Sequence, residues 1–339
     1  MIARTNVGRT LAVCSAVLLG VGLISAGVAG ASPACTYTIH DVDEARAGIS
    51  AAVPGDALCF KGVDLADVDL TMFRSGTAAA PIKMISDGQT TIHQLHILAD
   101  HVVLQGFTIV GGGELLLSGT GIVAQKNTVH DTARGGIICA NCADSMIASN
   151  TVIRAATAGI SISGQRVTVQ QNTISATVPA DDGDADGVRF FGTGHRILSN
   201  AIQDIPARSA AHPDCFQTFD TGHAATAGVE IVGNTCQNVE ENCLIATGDE
   251  RGNRDAPAST RSITFIGNTC ATQGEQGVTL RHWPNADLRK NSFSGPNLKR
   301  GILISRGSTG CSARDNTTAG NVPPVEVDES SRPGFTGPL

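Results

Sequence analysis

The chain has few aromatic residues and few charges. Among its 339 residues there are 10 Phe, one Trp and one Tyr, and only 16% of the residues are charged. This scarcity disfavours a β-sandwich with an aromatic core, while the hydrophobic content of 41% excludes a disordered chain or a coiled coil. Glycine is abundant instead, at 39 residues. That abundance is typical of folds with many tight, regularly spaced turns.

Long apolar runs are confined to the N-terminus. Arg4 and Arg9 precede the apolar segment Leu11 to Ala29, and Ala29-Gly30-Ala31 supplies a small-residue cleavage site, which is typical of a secretory signal. We predict a signal peptide over 1–31 and a mature protein that is secreted, extracellular or in the cell envelope. No later segment is long and apolar enough to insert into a membrane.

Basic residues are also too few to suggest a nucleic acid partner. Without Arg4 and Arg9 the chain keeps 22 basic residues against 31 acidic ones, a net charge of −9, and it has no basic tract.

Lipidation at Cys35 is a minor alternative, because Ser32 stands where a lipoprotein signal has an aliphatic residue.

An internal repeat organises the rest of the chain. A motif of the form apolar-x-x-Asn-Thr-apolar recurs at spacings of 23, 22, 28, 34, 34, 23 and 25 residues. A base period near 22 residues with insertions is typical of a solenoid. The repeated asparagines, which should stack with their amides hydrogen-bonded along the axis, are Asn127, Asn150, Asn172, Asn200, Asn234, Asn268, Asn291 and Asn316.

Between these motifs lies a second regular strand with alternating apolar residues, such as Gly159-Ile160-Ser161-Ile162. Short strands without room for a helix predict an all-β fold, a single-stranded parallel β-helix. Asp41 to Ala52 is predicted to form a short N-terminal capping α-helix that covers the exposed sheet edge. We therefore divide the mature chain into an N-terminal cap and first coils (32–100), the β-helix with groove-forming loops (101–319) and a C-terminal tail (320–339).

Three features resemble the pectate-lyase-like right-handed β-helix superfamily. They are the opening segment Ala45 to Asp56, the phrase Ser75-Gly76-Thr77 with Pro81-Ile82, and the Asn-Thr coils. The resemblance covers nearly the whole mature chain and implies a right-handed solenoid. It does not fix the reaction, since this fold carries lyases, hydrolases, epimerases and non-catalytic spikes.

Acidic residues stack in one column of the second strand. Asp186 and Asp214 occupy the same position on adjacent coils, about 4.8 Å apart. Two like charges at that distance need a compensating role, so we interpret the polar strip as a groove rather than a solvated sheet face. The segments Asp184 to Val188 and Pro213 to Phe216 are similar to polygalacturonase motifs, although only Asp186 and Asp214 match their acidic positions.

The site prediction has three parts. The predicted catalytic residues are Asp186, Asp214, His212 and Arg189. The predicted substrate-binding residues are Gln217, Arg281, His282, Trp283, Phe191 and Phe219. Asp184 would be a calcium ligand if the enzyme were a lyase. Alternatively, His212 is a surface residue without a role, and Trp283 covers an edge of the core. His195 is expected to be structural.

These residues favour a monomeric enzyme that cleaves glycosidic bonds of a polysaccharide. Hydrolysis by a carboxylate pair needs no cofactor. The alternatives are a calcium-dependent lyase or epimerase acting on uronates, and a non-catalytic β-helix that binds glycans or adheres to cells.

Nine cysteines follow the predicted signal, so at least one has no partner. We predict a Cys35–Cys59 disulfide that pins the cap. Stacking suggests two further bonds, Cys236–Cys270 and Cys215–Cys243, because each pair occupies one column on adjacent coils. Cys139, Cys142 and Cys311 would share at most one bond. The isolated Cys139-x-x-Cys142 pair lacks the other ligands of a zinc site.

Overall fold

The structure is a computed structural model that describes residues 34–179, 184–205, 212–220, 222, 226–248 and 260–338. Cys35–Leu339 forms one compact unit. The predicted signal peptide lies outside the described residues. None of the described helices is long and apolar enough to cross a membrane.

The predicted capping helix is present as Val42–Ala51. Asp41 is its N-cap and accepts a hydrogen bond from the backbone N–H of Glu44 at 2.8 Å, which satisfies one free donor of the first turn. The helix buries Ala45 and Ile49. This apolar side covers the end of the solenoid, which would otherwise be an exposed edge.

The rest of the unit is a right-handed parallel β-helix whose strands form three faces, and the strands of successive coils pair in parallel throughout the described residues. The first face contains Tyr37–Ile39, Ala57–Phe60, Ile82–Ser86, Val102–Gln105, Val123–Gln125, Met146–Ala148, Thr168–Gln170, Arg196–Leu198, Val229–Val232, Ile263–Ile266, Asp287–Arg289 and Ser312–Arg314. The second face contains Thr108–Ile109, Thr128–His130, Thr151–Ile153, Thr173–Ser175, Ala201–Ile205, Thr235–Val239, Thr269–Thr272, Ser292–Ser294 and Thr317–Thr318.

The third face contains Leu115–Leu117, Ile137–Ala143, Thr157–Gln165, Ala185–Thr193, Phe216–Phe219, Leu244–Thr247, Gln276–Arg281, Arg300–Ser305 and Val325–Val327. Two longer strands, Asp64–Met72 and Thr91–Ile97, contribute to both the second and third faces. Inward side chains from all three faces fill the interior, as in the stacked and fully buried Val152, Ile174 and Ile202. The strand Val325–Val327 lies in the predicted C-terminal tail, so coil stacking continues there, and the 3-10 helix Glu329–Ser331 follows.

The predicted asparagine ladder is confirmed. Asn150 Nδ2 donates to Asn172 Oδ1 at 3.0 Å, and the same oxygen accepts the backbone N–H of Asn150 at 2.9 Å. The pattern repeats from Asn127 to Asn316. Because each amide satisfies buried polar groups of the neighbouring coil, the ladder fixes the register between coils.

The predicted Cys35–Cys59 disulfide is present, but the predicted Cys236–Cys270 and Cys215–Cys243 bonds are wrong. The third face supplies Cys215 and the second face Cys236, and these two are bonded with their Cα atoms 6.1 Å apart. Side chains stacked in one column point in the same direction, whereas those from two different faces converge across the interior. Cys139 and Cys142 are bonded to each other where their strand shifts register against its neighbour.

Candidate functional site

The structure places Asp186 and Asp214 next to each other at the start of the third face. Both side chains are completely buried, and Asp186 Oδ1 accepts the backbone N–H of Asp214 at 3.0 Å. Asp214 Oδ1 in turn accepts the backbone N–H of Asn242 on the next coil at 2.8 Å. These residues form a second ladder, with two aspartates where the first ladder has asparagines.

Asp186 receives hydrogen bonds on both carboxylate oxygens. Arg189 donates to Oδ2 through Nε at 3.0 Å and through Nη2 at 2.7 Å, while Oδ1 accepts from Asp214. Burial raises the pKa of Asp186 to about 7, and the charge of Arg189 opposes that shift. Because every partner is a donor and one is a guanidinium, the ionised form fits these contacts best.

Asp214, in contrast, accepts hydrogen bonds from described residues on only one of its carboxylate oxygens. Asn242 donates to Oδ1 through both its backbone N–H and Nδ2, each at 2.8 Å. Oδ2 is buried and has no hydrogen-bond partner in the described part of the chain. Burial, and then the negative charge of Asp186, raise the pKa of Asp214 well above its ordinary value. The contacts therefore fit a neutral acid, with Oδ1 as the carbonyl oxygen and Oδ2 as the hydroxyl.

Asp214 lines a cavity of about 410 Å³ on the third face. Gln217, on the same wall, has a buried Oε1 with no hydrogen-bond partner among the described residues. Two buried polar atoms that lack partners at one cavity are the expected sign of a ligand site. The cavity is lined by Asp184, His212, Asp214, Gln217, Glu241, Asn242, Ile245, Gln276, Thr279 and Arg281.

Five of the predicted site residues therefore lie together at this cavity, namely Asp184, His212, Asp214, Gln217 and Arg281. Asp186 and Arg189 lie beside it without lining it. Arg189 also contacts Asp184, with Nη2 2.8 Å from Oδ2. Among the described residues, the side chains that lie close enough together to share a metal ion are three cysteines.

The prediction that Trp283 binds substrate is wrong, because its side chain is completely buried, as in the alternative that placed it against the core. His282 has φ 51° at the end of its strand, and this turn directs the next side chain into the core. Phe191 is 6% exposed and packs edge-on against Phe219, with ring centroids 4.9 Å apart. Neither these two rings nor His282 lines the cavity.

His195 is a structural residue, as predicted. Its Nδ1 accepts the backbone N–H of Val167 at 3.1 Å, and Nε2 lies 2.8 Å from the carbonyl oxygen of Phe191. These contacts assign the proton to Nε2. Burial lowers the pKa of this ring, which keeps it neutral.

The sequence-based prediction missed Glu241, Asn242, Ile245, Gln276 and Thr279 as cavity residues. Asn242 and Gln276 stand in the same column as the two aspartates, so extending that column by two coils would have found them. Thr279 donates to Asn242 Oδ1 at 2.7 Å and thereby orients the amide that holds Asp214. Glu241 directly precedes Asn242, and that position was its only sequence signal.

Comparison with known proteins supports the fold. The family model described as "Right handed beta helix region" matches residues 77–204. No curated protein matches the chain.

Three solved structures are similar over most of this chain. The catalytic unit of a GH87 α-1,3-glucanase from Streptomyces thermodiastaticus strain HF3-3 has a TM-score of 0.60 and 13% identity, covering 91% of this chain and 68% of its own. An alginate lyase from Paenibacillus sp. strain FPU-7 has a TM-score of 0.54 and 12% identity, covering 87% and 98%. A surface adhesin of Streptococcus pneumoniae has a TM-score of 0.54 and 11% identity, covering 87% and 86%. At these identities the likeness shows the fold alone.

Proposed function

We propose that the protein hydrolyses glycosidic bonds of a polysaccharide in the cavity on the third face. The observation that carries this proposal is the buried Oδ2 of Asp214, which has no partner among the described residues while Oδ1 accepts two hydrogen bonds. A neutral carboxyl with its hydroxyl free is the proton donor that glycoside cleavage requires.

A polysaccharide is the substrate class that fits the cavity wall and the fold. Amide, hydroxyl and guanidinium groups from Gln217, Gln276, Thr279 and Arg281 line it, and such groups hydrogen-bond sugar hydroxyls. Among the similar structures, one is a glucanase and one is an alginate lyase. The stacked coils continue the third face on both sides of the cavity, so an extended chain has a surface along which to lie.

In this mechanism Asp214 protonates the glycosidic oxygen as the bond to the sugar breaks. Glu241, which also lines the cavity, is the second carboxylate and activates the attacking water or stabilises the developing positive charge. Its negative charge contributes to the raised pKa of Asp214, so the two carboxyl groups interact. Asp186 and Arg189 are positioning residues that hold Asp214 from the neighbouring coil.

A hydrolase can be distinguished from a lyase in one assay. Purified protein would be incubated with acidic and neutral polysaccharides, with and without EDTA. Release of reducing ends without ultraviolet absorbance from an unsaturated uronate supports hydrolysis. Absorbance that EDTA abolishes would contradict it and support a calcium-dependent lyase, for which Arg281 and His212 are the cavity residues that could assist proton abstraction. Binding without any cleavage would indicate an adhesive β-helix.

We further propose that the protein is exported. The three disulfides among the described residues fit an oxidising compartment. The N-terminal segment 1–31 has the composition of a secretory signal.

A further inference from the structure

Four buried cysteines occupy a two-by-two arrangement inside the β-helix. Cys236 and Cys270 are in register on adjacent coils of the second face. Cys215 and Cys243 directly precede the paired residues Phe216 and Leu244, so they are also in register. The cluster therefore contains two equivalent pairs, each made of a third-face cysteine and the second-face cysteine of the next coil.

Cys215, on the third face, and Cys236, on the second face of the next coil, form a disulfide. The equivalent residues one coil further along, Cys243 and Cys270, are two free thiols that are completely buried. The sulfur atoms of Cys236, Cys243 and Cys270 all lie within 4.8 Å of one another.

We propose that Cys243 and Cys270 form a second disulfide stacked on the Cys215–Cys236 bond. Parallel coils in register repeat the same backbone geometry from one coil to the next. A bond from the third face of one coil to the second face of the next therefore has an equivalent one coil further along. The cysteine count supports this pairing, since four disulfides and Cys311 would account for all nine cysteines after residue 31.

The bond forms by exchange with a small-molecule disulfide while the chain folds. One thiolate attacks that disulfide to give a mixed disulfide and one released thiol. The second cysteine then attacks the sulfur of the first and releases the other thiol, so the protein loses two electrons and two protons. Burial raises the pKa of Cys243 in the folded protein, so the exchange must precede closure of the core.

A soft metal ion fits this cysteine cluster less well than a second disulfide does. Four thiolates around a divalent ion leave a net charge of −2 inside an apolar core, which is costly to bury. Two disulfides are neutral. The Cys215–Cys236 bond also removes Cys236 from the three cysteines whose sulfur atoms lie close enough to share an ion.

The test is thiol counting on the full chain exported to an oxidising compartment. The protein is denatured without reductant, alkylated with iodoacetamide and measured by intact mass. One adduct, at Cys311, is expected, and peptide mapping should recover a linked Cys243–Cys270 peptide. Adducts on both Cys243 and Cys270, linkage in the alternative pairings, or a metal retained in the native mass spectrum with all four thiols reduced would each overturn the proposal.

Two variants provide internal controls. In Cys270→Ala, Cys243 loses its partner, so two adducts are expected while the Cys215–Cys236 peptide persists. In Cys311→Ala, no adduct is expected. If Cys270→Ala gave the same single adduct as the parent protein, Cys243 would have another partner and the proposed bond would be wrong.

Discussion

At the scale of single residues, Asp186 and Asp214 have the same side chain in the same column but different hydrogen-bond partners. Three donors surround the carboxylate of Asp186. Asp214 has an oxygen at the cavity without a partner among the described residues. The difference arises because Arg189 reaches one carboxylate and not the other. In the proposed mechanism, these two equivalent acids act as an ion-paired group and a proton donor.

The first prediction concerns the proton donor. Asp214→Asn keeps an oxygen for Asn242 but removes the acidic proton, so cleavage should fall by about 10²–10⁴-fold. The circular dichroism spectrum should remain unchanged. Asp186→Asn instead removes the charge that helps to raise the pKa of Asp214, so the alkaline limb of kcat/KM should move to lower pH. Near-normal turnover by Asp214→Asn would refute its role as the acid.

Asp214→Asn should also increase the free energy of unfolding at neutral pH. The unfolded chain releases this proton near pH 3.9, whereas the raised pKa lets the folded protein retain it to higher pH. Above pH 3.9 the folded state therefore binds more protons, and its stability falls as pH rises towards the native pKa, by about 1.4 kcal/mol per pH unit for one proton.

Urea unfolding of Asp214→Asn and the parent protein at pH 5 and pH 7 checks this prediction. Asp214→Asn should not show the fall in stability that this proton causes in the parent protein. The difference in free energy of unfolding between the variant and the parent should therefore be larger at pH 7 than at pH 5. Asp144→Asn is the control, because Asp144 is an exposed partner of Arg166 with a lowered pKa and has no buried proton to retain. Equal pH dependence in Asp214→Asn and the parent would show that Asp214 is ionised in the folded protein.

At the scale of strands and coils, much of the structure was predictable because the ladder requires one asparagine at the same place in each coil. That requirement makes the spacing of Asn127 to Asn316 a direct record of coil length, insertions included. The disulfide partners were not predictable in the same way. Stacking shows which cysteines share a column, but a bond depends on whether their side chains converge, as those of Cys215 and Cys236 do across the interior.

The columns of the third face predicted the centre of the site, and the neighbouring Asp184 and His212 were predicted from their sequence positions beside the two aspartates. Asp214 and Gln217 occupy such column positions, and the structure places both at the cavity. Trp283 follows a strand end, where a left-handed turn at His282 decides whether the ring faces inward or outward. Repeat alignment carries no information about that turn, so the burial of Trp283 required the structure.

The ladder prediction belongs to this scale. Asn234→Ala removes the oxygen that accepts both the backbone N–H and Nδ2 of Asn200. Because these donors are buried, the free energy of unfolding should fall by about 3 kcal/mol, from about 1–3 kcal/mol per unsatisfied group. Asn316→Ala is the matched control, since its bonds to Asn291 are only part-buried, and it should cost less. Both variants would be measured by urea unfolding. Equal losses of stability in Asn234→Ala and Asn316→Ala would contradict the claim that burial makes the internal ladder bonds more stabilising.

At the scale of the whole molecule, stability depends on how the ends of the solenoid are closed. Each internal coil is paired on both sides, whereas the N-terminal end relies on the helix Val42–Ala51 and on the Cys35–Cys59 bond. That bond joins residues 24 apart in sequence and ties the start of the cap to the strand Ala57–Phe60. The chain entropy it removes from the unfolded state is larger than for a bond across a short turn.

The last prediction compares two disulfides of unequal span. In the chain-entropy model, a loop of the Cys35–Cys59 size stabilises by about 3.5 kcal/mol and one of the Cys139–Cys142 size by about 2 kcal/mol. The double variant Cys35→Ala/Cys59→Ala should therefore lose more stability in urea than Cys139→Ala/Cys142→Ala. It should also associate on mild heating, because a loosened cap uncovers the sheet end, and light scattering would detect this association. If the two variants lost equal stability and both stayed monodisperse, the cap bond would not protect the end of the solenoid.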